Sequence, residues 1–513
     1  MKRVLLLLGL IAAAGLHAQE PGFLEVRVWG GIGQEECRTV WADESGVLLA
    51  GETSSTTFLN PSQPEASGPV GQKGFLMALD TALDFQWSFA FEGDPLAPSG
   101  TPSSMAIRDV VRDPADSLTA WVLFDAPREG KWEGHLMGVH AEEGVVAEHH
   151  LTAPGAAFTA ALTPAGGSAF LVVGHTVPTA APGPATGIQV GLWTGDMGTP
   201  PGWALVEGTE GMEALDADWH DDTLYVAVHR SDVPAAPSAV MAITVDNGNP
   251  VVSGVGAIED PAIAVHRVTA SEEGVAWAAT LSSPDGTLDA VFGRMAAFLD
   301  PMEMAEWGQE WIMETVSAAD RPGRAVLWTG DVVQCAARTE TEGAGGLGAL
   351  VQTRFGPTGA WFGQHVFGGE GDEEIWDMAL DPEGRLLVVG SSNSWTALTV
   401  GNDSQDAVLF RSSRINFVPG FDSVSVEVTI PSDAVFVGVE SIVGPAEKTG
   451  GWMLRAGSLW PTELREPWRL IQSDGRQVAS GNGLGLVPDV QGAFWWCAAS
   501  ETGHRTVPLW ISD

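Results

Sequence analysis

A group of carboxylates in the middle of the chain has the chemistry to bind a hard cation. Aspartate oxygens are the ligands that Ca²⁺ and Mg²⁺ prefer, and four aspartates lie close together: Asp216, Asp218, Asp221 and Asp222. The spacing of an EF-hand loop, with its central glycine and closing glutamate, is absent. We therefore expect a solvated turn here, with a cation site as the alternative.

Two further acidic runs occupy equivalent places in a repeated segment. They are Gln34-Glu35-Glu36 and Asp372-Glu373-Glu374. Because the run recurs with the repeat, a capping or loop role is favoured over catalysis. A cation position shared by the repeats is the alternative.

Motifs of known catalytic sites are not found. Residues 343–348 fit the pattern Gly-x-Gly-x-x-Gly, but a dinucleotide site needs this pattern between a strand and a helix, and residues 349–353 read as a strand. His149 and His150 are adjacent, so in a strand they would face opposite sides, which is poor geometry for binding one metal. The sequence assigns no catalytic residue and no cofactor, and it leaves metal binding open.

A carboxylate pair for glycoside hydrolysis is defined by its separation in three dimensions. A hydrolase built from residues on several repeats therefore stays open as an alternative function.

The three cysteines, Cys37, Cys335 and Cys497, are too few and too widely spaced for a fully paired disulfide framework or a zinc site of cysteine pairs. We expect them to be small buried or edge residues.

The chain is strongly acidic, with 66 acidic and 25 basic residues and a net charge of −41. Such a surface repels phosphate backbones and anionic membranes, so nucleic acid is not an expected partner. A hydrophobic content of 44% supports a substantial core, and 63 glycines and 32 prolines favour short strands and turns over long helices.

The N-terminus has the pattern of a signal peptide over residues 1–18. Lys2 and Arg3 precede an apolar stretch at residues 4–16, and Ala18 is a small residue suited to cleavage before Gln19. A transmembrane anchor is the alternative, but the stretch is shorter than the roughly 20 residues that a span needs. We expect a secreted or outer cell-surface protein without a membrane span.

The chain contains internal repeats. Residues 28–36 match residues 366–374, and the turn residues Asp43 and Gly46 then fall opposite Asp381 and Gly384. Identity at turn residues with apolar residues between them indicates a repeated structural unit.

Each unit predicts four strands, which in the first copy are residues 39–42, 47–51, 75–79 and 85–89. Four antiparallel strands in sequence order form the blade of a β-propeller. Weaker copies begin near Ile107, Phe158, Leu215, Val265 and Thr315, about 50 to 60 residues apart. The total is seven blades, with six or eight as alternatives.

The best copies resemble the SBBP family of β-propeller repeats. The residues that carry the resemblance are Trp29 to Gly33, Asp43 to Gly46, Gly51-Glu52-Thr53, Gly74-Phe75-Leu76 and Asp406-Ala407-Val408-Leu409. The resemblance implies a propeller fold. It brings no shared catalytic residues.

The ends of the repeat region predict how the ring closes. Residues 23–29 align with residues 361–367, which read as a fourth strand, whereas the last blade ends after its third strand at Arg411. We expect residues 23–29 to complete that blade as its outermost strand, because closure removes exposed sheet edges.

The C-terminal residues predict a small β-sandwich that resembles the type A sorting domain of the type IX secretion system of Bacteroidota. The matching residues are Asp474, Gly475, Arg476, Gly492 and Arg505. The resemblance implies export through the type IX machinery. An ordinary accessory β-domain is the alternative.

The resulting prediction is an all-β protein. A seven-bladed propeller spans residues 19–416, connecting strands and a linker span 417–450, and the sorting-like domain spans 451–513. The favoured function is a non-catalytic binding or display module for an extracellular glycan or protein. Long loops at residues 53–72 and 176–188 are candidate docking elements.

Overall fold

The chain forms two compact units, Met1–Val437 and Gly438–Asp513. The computed structural model describes residues 23–30, 34–54, 73–92, 105–128, 131–151, 156–165, 169–177, 186–193, 202–230, 238–246, 249–258, 260–282, 288–295, 309–314, 323–339, 348–356, 359, 361–367, 371–394, 405–412 and 423–428 of the first unit and, of the second, 452–455, 458–461, 467–472, 477–482, 492–500 and 503–511. The predicted signal peptide, the turn Asp474-Gly475-Arg476 and residues 343–347 lie outside these ranges. Within them, no helix is long and apolar enough to cross a membrane.

The first unit is a seven-bladed β-propeller, as predicted. Strand β1 (Phe23–Trp29) precedes the blades. Blade one has β2 (Glu35–Asp43), β3 (Gly46–Thr53), β4 (Lys73–Leu79) and β5 (Phe85–Glu92); blade two has β6 (Ala106–Asp113), β7 (Asp116–Arg128), β8 (Lys131–His140) and β9 (Gly144–Leu151). Blade three has β10 (Ala156–Pro164), β11 (Phe170–Val177), β12 (Gly187–Trp193) and β13 (Gly202–Leu205).

The remaining blades follow the same antiparallel order. Blade four has β14 (Met212–His220), β15 (Thr223–Arg230), β16 (Ala239–Asp246) and β17 (Asn249–Ala257); blade five has β18 (Ile263–Ser271), β19 (Gly274–Ser282), β20 (Leu288–Met295) and β21 (Gln309–Glu314). Blade six has β22 (Ala325–Thr329), β23 (Val332–Thr339), β24 (Gly348–Phe355) and β25 (Trp361–Phe367); blade seven has β26 (Glu373–Leu380), β27 (Leu386–Ser392) and β28 (Asp406–Ser412), followed by β1 and β29 (Ser423–Val428).

The second strand of a blade is buried on both faces. In β3 and β27 every residue is buried, because each strand lies between two strands of its own sheet and between two neighbouring blades. A strand covered on both sides reads as a continuous apolar run rather than an alternation. Val47-Leu48-Leu49-Ala50 and Leu386-Leu387-Val388-Val389 have this pattern.

The core is a ring of seven apolar clusters among the described residues. Each cluster joins two blades that follow one another: Leu48 and Val122 join blades one and two, and Val226 and Val173 join blades four and three. The ring closes because Leu49 of blade one and Leu409 of blade seven share a cluster. No blade therefore buries its apolar surface alone.

Strand β1 closes the ring on blade seven, as the end copies predict. It pairs antiparallel with β28, with Val28 opposite Val408 and Val26 opposite Phe410. Val26 and Val28 are fully buried, and Glu25 accepts a hydrogen bond of 2.8 Å from Arg411 Nε. The prediction that β1 is the outermost strand is wrong, because β29 pairs with it in parallel on the other side. This extra strand covers the backbone edge that β1 would otherwise expose.

The predicted position of the sixth repeat is also wrong by one strand. A copy that begins near Thr315 makes residues 325–328 its second strand, but they form the first strand of blade six, β22. The segment Ala325-Val326-Leu327-Trp328 is a continuous apolar run, the pattern of second strands elsewhere. Hydrophobic pattern alone therefore did not distinguish the two positions.

The second unit is all β in its described residues. Strands β30 (Trp452–Arg455) and β31 (Ser458–Pro461) form a hairpin. Strands β32 (Pro467–Gln472), β33 (Gln477–Asn482), β34 (Gly492–Ser500) and β35 (Gly503–Ile511) form an antiparallel sheet in the order β33-β32-β34-β35. Of the predicted sorting residues, Gly492 begins β34 and Arg505 lies in β35 opposite Ala498.

Closure by β1 makes a testable contribution to stability. Replacing Val28 with alanine removes buried methyl groups and should lower the free energy of unfolding by about 1–3 kcal/mol. The matched control is Val251→Ala in β17, where the valine is 51% exposed, and its effect should stay below about 1 kcal/mol. Denaturant unfolding followed by tryptophan fluorescence measures both. Equal effects would contradict the closure.

Candidate functional site

A β-bulge recurs at one position in the first strands of the blades. The pairing register shifts by one residue in β2, β6, β10, β14, β18 and β26. The bulged residues are Arg38, Arg108, Ala160, Leu215, His266 and Trp376. A bulge re-aims the side chains around it. The residues that follow five of the bulges interact with one another across the blades and are called the axial residues: Thr39, Asp109, Asp216, Arg267 and Asp377.

The bulge explains why glycine stands opposite it in the second strand. Gly51 pairs with Cys37, and Gly390 pairs with Ile375, each beside a bulged residue. A Cβ at Gly51 would overlap the carbonyl oxygen of Glu36, and a Cβ at Gly390 would overlap that of Glu374. Only glycine permits this close backbone approach.

The axial aspartates bond to the backbone of neighbouring blades. Asp377 Oδ2 accepts 3.0 Å from the Val40 N–H of blade one, and its Oδ1 accepts 2.8 Å from the Met378 N–H. Asp109 Oδ2 accepts 2.9 Å from the Leu162 N–H of blade three. These carboxylates satisfy backbone donors that the bulges leave without a strand partner.

Blades four and five are joined by the same kind of contact, with an added ion pair. Asp216 Oδ2 accepts 2.9 Å from the Val268 N–H, and its Oδ1 lies 3.3 Å from Arg267 Nη1. Arg267 Nε donates to the carbonyl oxygen of Arg324 in blade six at 3.3 Å. Arg267 is the cation among the axial residues after the bulges, and it faces three aspartates.

Thr39 connects two of the axial carboxylates. Its hydroxyl lies 3.0 Å from Asp377 Oδ2 and 3.3 Å from Asp109 Oδ1. Blades seven, one and two are therefore joined at the axis through one side chain.

Burial shifts the protonation of these carboxylates. Desolvation raises the pKa of Asp109 to about 7 and that of Asp216 to about 6, although backbone hydrogen bonds to Asp109 and the Arg267 charge beside Asp216 oppose the shift. Burial also raises the pKa of Asp377, with Arg267 opposing it. The negative charge of Asp377 adds to the upward pKa shifts of Asp109 and Asp216.

A second set of polar contacts joins the blades nearer one end of the channel. Glu52 at the end of β3 accepts 3.1 Å from the Ile107 N–H of blade two. Asp125 in β7 accepts from both the N–H and the hydroxyl of Thr159 in blade three, at 2.8 and 2.7 Å. Arg108 Nε lies 2.8 Å from Asp125 Oδ2.

At this end lies the channel mouth, defined here as the bulged residues Arg38 and Trp376 together with Arg324, Arg338, Glu36 and Glu374. The guanidinium carbon of Arg38 lies 3.7 Å from the centroid of the Trp376 ring, and that of Arg324 lies 4.4 Å from it. All three arginines are partly exposed.

Carboxylates form ion pairs with the arginines of the mouth. Arg38 Nη2 pairs with Glu36 and, at 3.4 Å, with Glu52. Arg324 Nη2 lies 2.9 Å from Glu374 Oε1. These pairs leave Nη1 of Arg38 and Arg324 without a hydrogen-bond partner within the described part of the chain. Desolvation raises the pKa of Glu36 and lowers that of Arg324.

The long second-to-third strand connections start at the same end. Thr53 pairs with Lys73, and Thr176 with Gly187, so both connections leave the sheet at the end where first strands begin. This topology puts the attachment points of the two predicted docking loops at the same end of their blades as the mouth. The loops themselves extend beyond the described residues.

The predicted acidic turn in blade four separates into two parts. Asp216 and Asp218 are only partly exposed, and each accepts a hydrogen bond from the next blade, Asp218 from the Ala270 N–H at 2.8 Å. Asp221 and Asp222 do form an exposed turn with positive φ angles of 46° and 58°. Two of the four carboxylates are therefore bonded to blade five, and the other two lie in the turn between β14 and β15.

The repeated acidic runs have the capping role that their recurrence predicts. Glu35 accepts 3.0 Å from the Thr53 hydroxyl, and Glu373 accepts 2.9 Å from the Ser392 hydroxyl. Both contacts tie the start of a first strand to the end of the second strand. Glu36 and Glu374 contribute to the mouth instead.

Two of the three cysteines are buried, as expected. Cys37 and Cys335 are both unpaired, and burial raises the pKa of the Cys335 thiol to about 12. The side chain of Cys497 is outside the described set.

One cluster of metal-ligand type was missed at the level of sequence. Glu133, His135 and His150 of blade two each bring one ligand atom within 4.8 Å of the others. His149 faces the other side of β9, where its ring lies 6.2 Å from that of Trp121, as the opposite-face prediction requires. The available signal was Glu133-x-His135 on one strand face, with a histidine in the next strand.

Comparisons with known proteins give similarity of structure alone. No protein-family profile matches the chain, and no curated protein matches its sequence. Similar solved structures include a phage phi92 endosialidase, with 8% identity, 96% coverage of this chain, 88% of that one and a TM-score of 0.40.

Two further structures have comparable similarity. A Bacteroides uniformis protein described as a putative 6-phosphogluconolactonase has 12% identity, 62% and 86% coverage of the two chains and a TM-score of 0.38. A glucose dehydrogenase has 10% identity, 75% and 98% coverage and a TM-score of 0.35. At these values nothing about activity is transferred.

The axial aspartates make stability depend on pH in a defined direction. The pKa of Asp109 is higher in the folded protein, about 7, than its ordinary value of 3.8. Between these values the folded state binds more protons than the unfolded state, so the contribution of Asp109 to stability falls as pH rises. The loss of thermal stability between pH 5 and pH 8 should therefore be smaller in Asp109→Asn than in the wild type.

Differential scanning calorimetry at the two pH values measures this difference. Only the pH dependence is compared, so a constant loss from the altered hydrogen bonds of the asparagine does not affect the result. Asp84→Asn, at an exposed position, is the matched control and should keep the wild-type dependence. An unchanged dependence in Asp109→Asn would contradict the assignment.

Proposed function

We propose that this protein is a secreted or surface-displayed binding module whose ligand docks at the channel mouth. The observation that carries the proposal is the pair of guanidinium groups stacked at Trp376. They are partly exposed, their ion pairs use Nη2, and Nη1 of Arg38 and Arg324 has no partner among the described residues.

The geometry favours a ligand that carries carboxylate groups. A guanidinium stacked on an aromatic face keeps its edge available for hydrogen bonds in its own plane, which matches carboxylate geometry. Trp376 and Glu374 hold the groups in place before binding, which lowers the ordering cost of association. Neighbouring carboxylates of the mouth can accept hydrogen bonds from hydroxyl groups. A glycan that contains sugar acids combines both kinds of group.

The axial aspartates support binding over catalysis. Oxygens of Asp109, Asp216 and Asp377 accept backbone N–H groups of neighbouring blades, and a catalytic carboxylate must instead present an oxygen to substrate. A secreted hydrolase of polysaccharide or peptide is the second candidate. The observation in its favour is that the pKa of Asp109, about 7, lies in the range of a general acid.

Binding is tested by a glycan array and by titration calorimetry with the array's acidic hits. The double variant Arg38→Gln/Arg324→Gln should weaken binding at least about tenfold, because two charge-assisted hydrogen bonds are lost. Arg354→Gln is the matched control, since this half-buried arginine of β24 lies at the opposite end of its blade, and its affinity should equal that of the wild type.

The same titrations separate the alternatives. Preferred binding of peptides over acidic glycans would contradict the glycan proposal. Release of reducing ends or peptide fragments that disappears in Asp109→Asn would favour the hydrolase. Equal affinity of the double variant and the wild type would place the ligand elsewhere.

We further propose export by a type IX secretion system. The supporting observations are the signal-peptide pattern of residues 1–18 and the Asp474-Gly475-Arg476 element before Gly492 and Arg505. Deleting residues 452–513 should trap the rest of the protein in the periplasm of a type IX-competent host, and Arg476→Ala should reduce export. Immunoblots of periplasmic and extracellular fractions measure both, with Arg465→Ala as control. Normal export of the truncated chain would rule out the sorting role.

A further inference from the structure

The outer half of blade two contains a cluster with the composition of a transition-metal site. Glu133 and His135 are two residues apart in β8, and His150 of β9 lies directly opposite His135. Residues two apart in a strand share a face, and directly opposed residues of antiparallel strands have neighbouring side chains. A single hairpin therefore brings two imidazoles and a carboxylate together.

The distances are close to those of a bound metal. One ligand atom from each of the three side chains lies within 4.8 Å of the others. Ligands at 2.0–2.2 Å from a tetrahedral zinc ion are about 3.4 Å apart. Glu133 and His150 are only half-buried, so their side chains have room to rotate toward a shared ion.

A second carboxylate lies behind the histidines. Glu148 Oε1 is 3.3 Å from His135 Nδ1 and 3.9 Å from His150 Nε2. A carboxylate that accepts the N–H of one ring nitrogen fixes the tautomer and directs the other nitrogen to a metal. Glu148 is placed to fix the ring of His135 in this way, and it also lies near the ring of His150.

The burial of His135 is an independent observation that points to a ligand. The residue is only 6% exposed, and its ring stacks on Phe124 with centroids 4.8 Å apart. Its Nε2 is buried and has no hydrogen-bond partner within the described ranges. A buried polar atom without a partner is costly, and a metal ion bound at Nε2 would remove that cost.

We propose that Glu133, His135 and His150 bind one Zn²⁺ ion, with Glu148 as a positioning residue. Two imidazoles exclude Ca²⁺ and Mg²⁺ as preferred ions, since these take oxygen ligands, and imidazole with carboxylate suits zinc. Three protein ligands leave a fourth position for water or a ligand group. The site lies in blade two and does not depend on the ligand proposed for the channel mouth.

Metal binding is measured with full-length mature protein that carries no histidine tag. After chelator treatment and dialysis, competition titration with a chromophoric chelator should show one tightly bound Zn²⁺ per chain. Loading with Co²⁺ should produce the intense visible absorption of a four-coordinate site. His135→Asn and Glu133→Gln should each weaken the affinity at least 100-fold, and Glu148→Gln should weaken it by about 10–100-fold.

Matched controls come from the same hairpin. His140→Asn lies in β8 outside the cluster, and Glu143→Gln lies at the exposed turn between β8 and β9. Both should keep the wild-type affinity. Circular dichroism of each variant tests folding, and Glu133→Gln, at a half-buried position, keeps the test informative if His135→Asn does not fold.

Three outcomes would overturn the proposal. The first is a folded wild type that binds no Zn²⁺ in the titration. The second is an affinity in Glu133→Gln equal to that of the wild type. The third is a bound Co²⁺ with the weak spectrum of an octahedral site.

Discussion

The carboxylate-to-amide hydrogen bond between neighbouring blades is the interaction on which the propeller depends. Asp377, Asp109 and Asp216 each accept a backbone N–H from the following blade. A buried carboxylate is costly, and so is a backbone donor without a partner. The contact resolves both, and it ties each of these blades to the next one.

The bulge that aims these aspartates also builds the channel mouth. Inserting one residue turns Asp377 toward the axis and places Trp376 beside Arg38 and Arg324. The same irregularity requires glycine in the second strand, at Gly51 and Gly390. The bulge, which recurs at one position of the repeat, thus supplies both contacts between blades and a partly exposed polar surface.

The outer strands of a blade have different freedom from the inner ones. Some of their side chains are exposed, as Val145 of β9 and Val251 of β17 show. The cluster of Glu133, His135 and His150 belongs to this outer region. Its residues are separate from the aspartate-to-backbone hydrogen bonds that join neighbouring blades.

The sequence by itself determined the parts of this protein that depend on local pattern. The fixed spacing between the two end copies predicted the blade, and the match of residues 23–29 with a fourth strand predicted closure on blade seven. Turn chemistry also followed locally, since Asp43 and Asp381 accept hydrogen bonds within their turns and Gly46 and Gly384 have positive φ. Pattern failed at blade six, where β22 has the apolar composition of a second strand.

Tertiary structure decided which distant side chains meet. A bulge changes the direction of side chains, but amino-acid composition gives no clear signal of it. Asp216 and Asp218 were therefore expected in a solvated turn, although their hydrogen bonds join blade four to blade five. The stacking of Arg38 and Arg324 at Trp376 requires the ring to close, because these residues come from three blades. The contact of His135 with His150 depends on pairing register, and a shift of one residue would turn the rings to opposite faces.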